Sequence, residues 1–282
     1  MLGRQIIFRS AIAGVALIAT PVFAQDAGPY FDGFYVGGSV SADTPNDSRD
    51  DRIVFDTDRD GEYDDFVRTT TGADAFGPGF CRGPGSGATR GQSCGGNDLE
   101  LGYAARIGYD KRLGDGPLVA GVLIEAAKPG VEDFTTAFST TPASYTIERD
   151  IDYSVMARGR LGVSPGDGRG LFYVTGGVGF ARVDHTFTTT NGANSFNSNN
   201  ARDWQFGGQV GGGAEVMLTR NVGLGLEYLY SSFEDEDHFV AVGPGSAPAT
   251  NPFLLASGGT NLRVGEDRLD YHSLRATLNF HF

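Results

Sequence analysis

Seven ionisable residues of this chain, Arg106, Glu125, Arg158, Arg160, Glu215, Glu227 and Arg275, fall at positions that strand alternation would turn to a common side. On the inner face of a closed sheet such charges persist when they pair, since an unpaired charge taken out of water is strongly penalised. The chemistry on offer is an internal salt-bridge network or, if the pairs part, a guarded path for ions. A second constellation, Asp56, Asp58, Asp60 and Asp64 around Gly61, spaces its oxygens as a calcium loop would. Calcium is the one cofactor suggested here. Against it, the twelfth position counted from Asp56 is Val67, where a bidentate Glu would be needed. The stretch 43–98 carries twelve carboxylates against six arginines, so a solvated acidic loop is the alternative. A third cluster, Glu234 to His238, opens another loop and reads as a solvated rim or a place for divalent cations.

Catalysis finds little footing. His272 adjoins Ser273, but neighbouring strand residues face opposite sides and cannot readily share a proton. His185 and His238 fall in loops and His281 near the end of the chain. No nucleophile elbow, phosphate loop or clustered metal-ligand motif occurs elsewhere, so an enzyme is not expected.

The charged positions need strands to hold them, and eight alternating segments can be marked, at 34–42, 99–112, 118–127, 151–163, 171–183, 204–218, 222–233 and 269–282. Short turns rich in Gly, Asp and Asn join the second to the third, the fourth to the fifth and the sixth to the seventh. Long polar connections, 43–98, 128–150, 184–203 and 234–268, join the rest. That asymmetry is the pattern of a membrane barrel with short periplasmic turns and long outer loops. The sixth segment presents Gln205, Gly207, Gln209, Gly211, Gly213 and Glu215 on one face, too few charges for a surface in water and well suited to a narrow polar lumen. The opposite faces, such as Val122, Ile124, Leu224 and Leu226, suit lipid. The expected fold is all-β, an eight-stranded antiparallel transmembrane up-and-down barrel.

Arg4 and Arg9 precede an apolar run and Val22-Phe23-Ala24, the tripartite pattern of a secretory leader cleaved after Ala24, which leaves 25–282 as a single barrel domain. Forty-three glycines, twenty phenylalanines and eleven tyrosines fit close-packed strands meeting a membrane interface. The net charge of -13 argues against nucleic acid as a partner. Cys81 and Cys94 lie in the first long connection, where an oxidising compartment favours a disulfide across a Gly-rich stretch.

The last strand, with Leu278, Phe280 and Phe282 on its apolar face, resembles the signal by which bacterial outer-membrane barrels are recognised by their insertion machinery. With Phe31-Asp32-Gly33-Phe34-Tyr35-Val36-Gly37-Gly38 at the start and Gly225-Leu226-Glu227-Tyr228-Leu229-Tyr230 later, the chain resembles the small outer-membrane β-barrel family that includes opacity-type surface proteins and the OmpA-like transmembrane barrel. The resemblance implies a barrel in the outer membrane of a Gram-negative bacterium, among outer-membrane lipids and lipopolysaccharide, contributing to envelope integrity and, in some members, to surface contact. No segment follows Phe282, so a peptidoglycan-binding domain is not part of the expectation. The leading expectation is a non-enzymatic barrel acting through long acidic outer loops on an unspecified surface ligand. A narrow porin-like channel and a lipid-modifying enzyme are the alternatives.

Overall fold

The computed structural model describes residues 29–46, 52–92 and 94–282; the expected leader and its cleavage point lie outside them. Fourteen strands form among the described residues: β1 (Gly33–Pro45), β2 (Ile53–Asp56), β3 (Gly79–Arg82), β4 (Glu100–Arg112), β5 (Leu118–Lys128), β6 (Glu132–Ser139), β7 (Ala143–Val163), β8 (Gly170–Thr189), β9 (Ser195–Ser198), β10 (Arg202–Met217), β11 (Val222–Glu234), β12 (Val240–Gly243), β13 (Thr260–Val264) and β14 (Arg268–His281). Eight of them, β1, β4, β5, β7, β8, β10, β11 and β14, pair antiparallel in that order, and β14 returns to β1 to close the barrel. Closure leaves the barrel without an edge.

Alternation explains these strands. Val122 and Ile124 are 63% and 56% exposed on the outside, whereas Leu123 and Glu125 between and beside them are buried. At one end the strands meet in tight turns that use left-handed glycines, Gly114 at φ 68° and Gly166 at φ 62°, a conformation that costs glycine no side-chain clash.

The other end departs from the sequence reading. β7 begins at Ala143 and β8 runs to Thr189, both well beyond the alternating cores at 151–163 and 171–183. The extension was hidden because the first five residues of β7 are all buried, so the period-2 signal vanishes where both faces of a strand are covered. The extension pairs with β6, which pairs with β3. Beside it β2, β13, β12 and β9 form a separate four-stranded sheet. The connections read as long polar loops therefore build a folded cap with its own core, in which Phe55, Phe76, Tyr145, Ile147, Val242 and Leu262 are buried. Cys81, in β3 opposite Thr136 of β6, is bonded to Cys94 with Cα atoms 6.4 Å apart. Its stretch is thus tied by sheet pairing as well as by the disulfide.

A walk along the inward face of β8 crosses every layer of the molecule. Leu171 joins Phe31, Val119 and Met217 in an apolar layer beside the tight turns. Tyr173 and Gly177 then border the charged lumen. Ala181 and Val183 join Ile151, Met156, Phe233 and Tyr271 in a second apolar layer. His185 enters a polar cluster beneath the cap, and Phe187 packs against the cap core.

Replacing Cys81 and Cys94 by Ser should lower the free energy of opening β3 and its neighbouring turn by about 2–3 kcal/mol, the loop-entropy scale for a short cross-link. Amide hydrogen exchange should quicken there, while exchange in β11 and β14 stays unchanged. Equal quickening across the barrel would refute the assignment of the disulfide to the cap alone.

Candidate functional site

The lumen gathers all seven inward charges, each no more than 4% exposed. Arg106 of β4 faces its cross-strand partner Glu125 of β5 at 2.7 Å and reaches Glu227 of β11 at 3.2 Å. Arg158 of β7 spans the same two carboxylates, at 3.0 and 3.1 Å. Arg275 of β14 donates to Glu125, and the Tyr173 hydroxyl donates to Glu227 at 3.1 Å. Three guanidiniums thus share two carboxylates. Nearer the tight turns a second knot forms around Arg160, which pairs with Glu215 at 3.2 Å and donates its Nε–H to Asp110 at 2.7 Å. Its guanidinium lies between the rings of Tyr35 and Tyr173, 4.6 and 5.2 Å from their centres, a cation–π seat.

Asp110 was missed by the sequence reading, although it lies four places from Arg106 on the same face of β4. With it the knots hold four arginines and four carboxylates. His281, which shares the face of Arg275 at the end of β14, is buried with Nε2 2.7 Å from Glu215. Two inward glycines make room: a Cβ at Gly121 would come within 2.0 Å of Asp110 Oδ1, and one at Gly223 within 2.3 Å of Glu215 Oε1.

A second buried cluster lies under the cap. Arg149 of β7 pairs with Asp133 and lies 3.4 Å from Asp235. His185 Nε2 is 2.8 Å from Asp235, and the His185 ring stacks on that of His238 at 4.0 Å. The run Glu234 to His238 is therefore only partly a solvated rim, because Asp235 and His238 turn inward. His238 Nε2 is 2.7 Å from the Ser198 hydroxyl, a pairing that sequence separation concealed. Spacing of that kind suits a nucleophile and its base, yet Asp235 contacts the other histidine. Burial, with His185 and Arg149 adding to it, pushes the His238 pKa down to about 3, so its imidazole is a poor proton acceptor at neutral pH. Ser273 is buried against Asp43 while His272 bonds the Tyr228 hydroxyl, and the two do not meet.

Asp56, Asp58 and Asp60 bring carboxylate oxygens within 4.8 Å of one another. Asp64 stays exposed and outside that group; its neighbour Asp65 instead accepts from the Thr57 hydroxyl and amide, both at 2.8 Å. Asp56 accepts from the amides of Asp60 and Gly61 and from the Asn261 side chain. Leu278, Phe280 and Phe282 line the outward face of the closing strand, 43%, 38% and 70% exposed.

The sequence profile of the outer membrane protein beta-barrel domain matches residues 10–282, so the chain belongs to that family and its place is the outer membrane of a Gram-negative bacterium. Among solved structures it is similar to the outer membrane protein OprG from Pseudomonas aeruginosa, at 14% identity and a TM-score of 0.46 over 91% of this chain and all of that one. It is also similar to Neisserial surface protein A, at 12% identity and 0.35 over 89% and 98%. A third likeness is to Ail, the attachment invasion locus protein of Yersinia pestis, at 8% identity and 0.33 over 89% and 99%. A search of the curated proteins finds no match.

Glu125→Ala would leave Arg106, Arg158 and Arg275 short of a shared counter-charge. Removing one partner of a buried pair costs about 3–5 kcal/mol, so the urea midpoint of the refolded barrel should fall markedly, and an unchanged midpoint would show the network to be energetically idle. The His238 pKa gives a pH signature. Its folded value lies below the ordinary histidine value of 6.5, so the unfolded chain binds the extra proton more readily. Its contribution to stability is complete above about pH 6.5 and is lost as pH falls toward 3, to the extent of roughly 2–4 kcal/mol. His238→Gln should flatten that part of a cap-opening profile measured by hydrogen exchange.

Proposed function

We propose that this protein is a sealed, non-enzymatic outer-membrane barrel whose work is done by the folded cap, as a surface for contact and for envelope organisation. The observation that carries the reading is the filling of the lumen: two knots of mutually paired charges lie between two apolar layers. An ion crossing this barrel would have to part buried salt bridges and also wet two apolar constrictions. Eight strands leave little interior beyond what side chains fill.

The cap supplies what the lumen lacks. Its outward side carries a carboxylate row in which Glu132 of β6 faces Asp150 of β7, which faces Asp184 of β8. Partial burial and neighbouring carboxylates raise the pKa of Glu132 and of Asp150. Like charges directly opposite destabilise a sheet; Arg202 pairs with Asp184 and Lys128 partly offsets Glu132 and Asp150, and the negative potential that remains favours a cationic group on whatever meets it. In this reading the barrel sits among outer-membrane lipids and lipopolysaccharide, and the terminal strand with Leu278, Phe280 and Phe282 serves the insertion machinery. Asp56, Asp58 and Asp60 form a turn held by backbone amides rather than a calcium seat.

Planar-bilayer recording tests the seal. Protein shown to be folded by its heat-modifiable mobility should give no unitary steps, and stable ion-selective steps would transfer the function to a channel lined by Arg106, Glu125, Arg158 and Glu227. Calorimetric titration with calcium should give no saturable heat; a saturable one, lost in Asp58→Asn, would restore the cation site.

A further inference from the structure

A cavity of about 240 Å³ opens at the top of the cap, away from both buried charge clusters. Its floor is the aromatic group Phe76, Tyr145 and Phe253, with ring centres 5.3 to 5.7 Å apart. Val67, Ala75 and Ala143 complete the apolar wall. The β6–β7 turn, the segment after β8 and the 3-10 turn at Pro252–Leu254 form the mouth.

The wall carries no ionisable residue other than the buried Tyr145 phenol. In a chain of net charge -13, with acidic residues throughout its connections, an uncharged mouth disfavours an ionic ligand of either sign. Apart from the exposed Thr140 and Thr141, the polar side chains of the wall are engaged with the protein itself. Asn191 Nδ2 donates to the Tyr145 hydroxyl and to Asn194 Oδ1, both at 3.0 Å, and its Oδ1 accepts from the Ala193 amide at 2.8 Å. Asn251 Nδ2 donates to Asn194 Oδ1 at 3.0 Å and its Oδ1 accepts from the Phe253 amide at 3.1 Å. Thr190 Oγ1 accepts from the Ser144 amide at 2.9 Å. A sugar ring, which needs several convergent hydrogen bonds in exchange for its lost water, would find these partners taken. On its floor the cavity offers van der Waals contact with aromatic and methyl groups.

The geometry points to a binding site for a small neutral apolar molecule the size of a single ring. The volume sets the size: an apolar cavity of ~150 Å³ accepts benzene, and drug-sized ligands need ~300 Å³ or more. The network of Asn191, Asn194 and Asn251 at the rim adds to the selectivity, because its amide donors are already spent within the protein.

The test uses the full chain in lipid nanodiscs, with methyl-labelled Val67, Ala75 and Ala143 and fluorobenzene as the probe. Saturable shifts at these methyls, with ring-to-methyl Overhauser effects, are the expected result. Thr141 and Ala193 are exposed at the mouth, so Thr141→Trp and Ala193→Trp should fold normally, as judged by an unchanged spectrum of the barrel strands. Each should weaken the response roughly ten-fold or more, the scale of losing about 1.4 kcal/mol of contact. Glucose and benzoate should give no saturable shift. Methyls that stay silent with fluorobenzene, shifts that persist in both Trp variants, or equal responses to glucose or benzoate would each overturn the assignment.

Discussion

Closure of the sheet between β1 and β14 is the constraint on which the rest depends. In hydrocarbon no water is available to satisfy backbone amides and carbonyls, so a strand can span only if both of its edges are paired. The register from Tyr35 opposite His281 to Pro45 opposite Tyr271 supplies the last pairing. Once eight strands close, the diameter is set and the interior is narrow. Inward side chains must then fill it, and any charge among them must find its opposite within the same few ångströms.

That requirement accounts for the composition of the lumen. Guanidiniums bind more than one carboxylate through their forked donors, and Arg158 uses this to join Glu125 and Glu227 across the barrel. Such bridges tie β5, β7 and β11, which are not all neighbours in the sheet, so they brace the cylinder across its bore. Small residues beside the large ones complete the fit, as Gly121 does beside Asp110. Closure gives the barrel its outline, and the paired charges fix how the interior is occupied.

Much of this was legible in the sequence because alternation survives wherever one face meets lipid and the other meets the lumen. Parity alone brought Arg106, Glu125, Arg158, Arg160, Glu215, Glu227 and Arg275 to one side, and the same parity would have yielded Asp110 and His281. The cap was not legible. The start of β7 is buried on both faces, as is much of β6, and β2 and β12 are only four residues long, too short to show a period. The cluster of Arg149, Asp133, Asp235 and His185 was equally hidden, since its members come from β6, β7, β8 and the segment after β11, and no local spacing joins them.

The continuity of β7 and β8 from lumen to cap has a mechanical consequence. Their ladder runs without a hinge from Val163 opposite Phe172 to Tyr145 opposite Thr189, broken only by a one-residue register shift between Ile151 and Tyr153. The irregularity lies at the second apolar layer, just below the His185 cluster. A β-bulge bends and twists a strand pair without freeing it, so the cap is aimed by the barrel rather than carried on flexible tethers. A flexible loop must be ordered when a partner binds and gives up conformational entropy in doing so, whereas a surface built on extended barrel strands has met that cost in folding. The filled lumen and the cap are therefore linked: the same strands that line the charged interior hold the outer surface in a fixed pose.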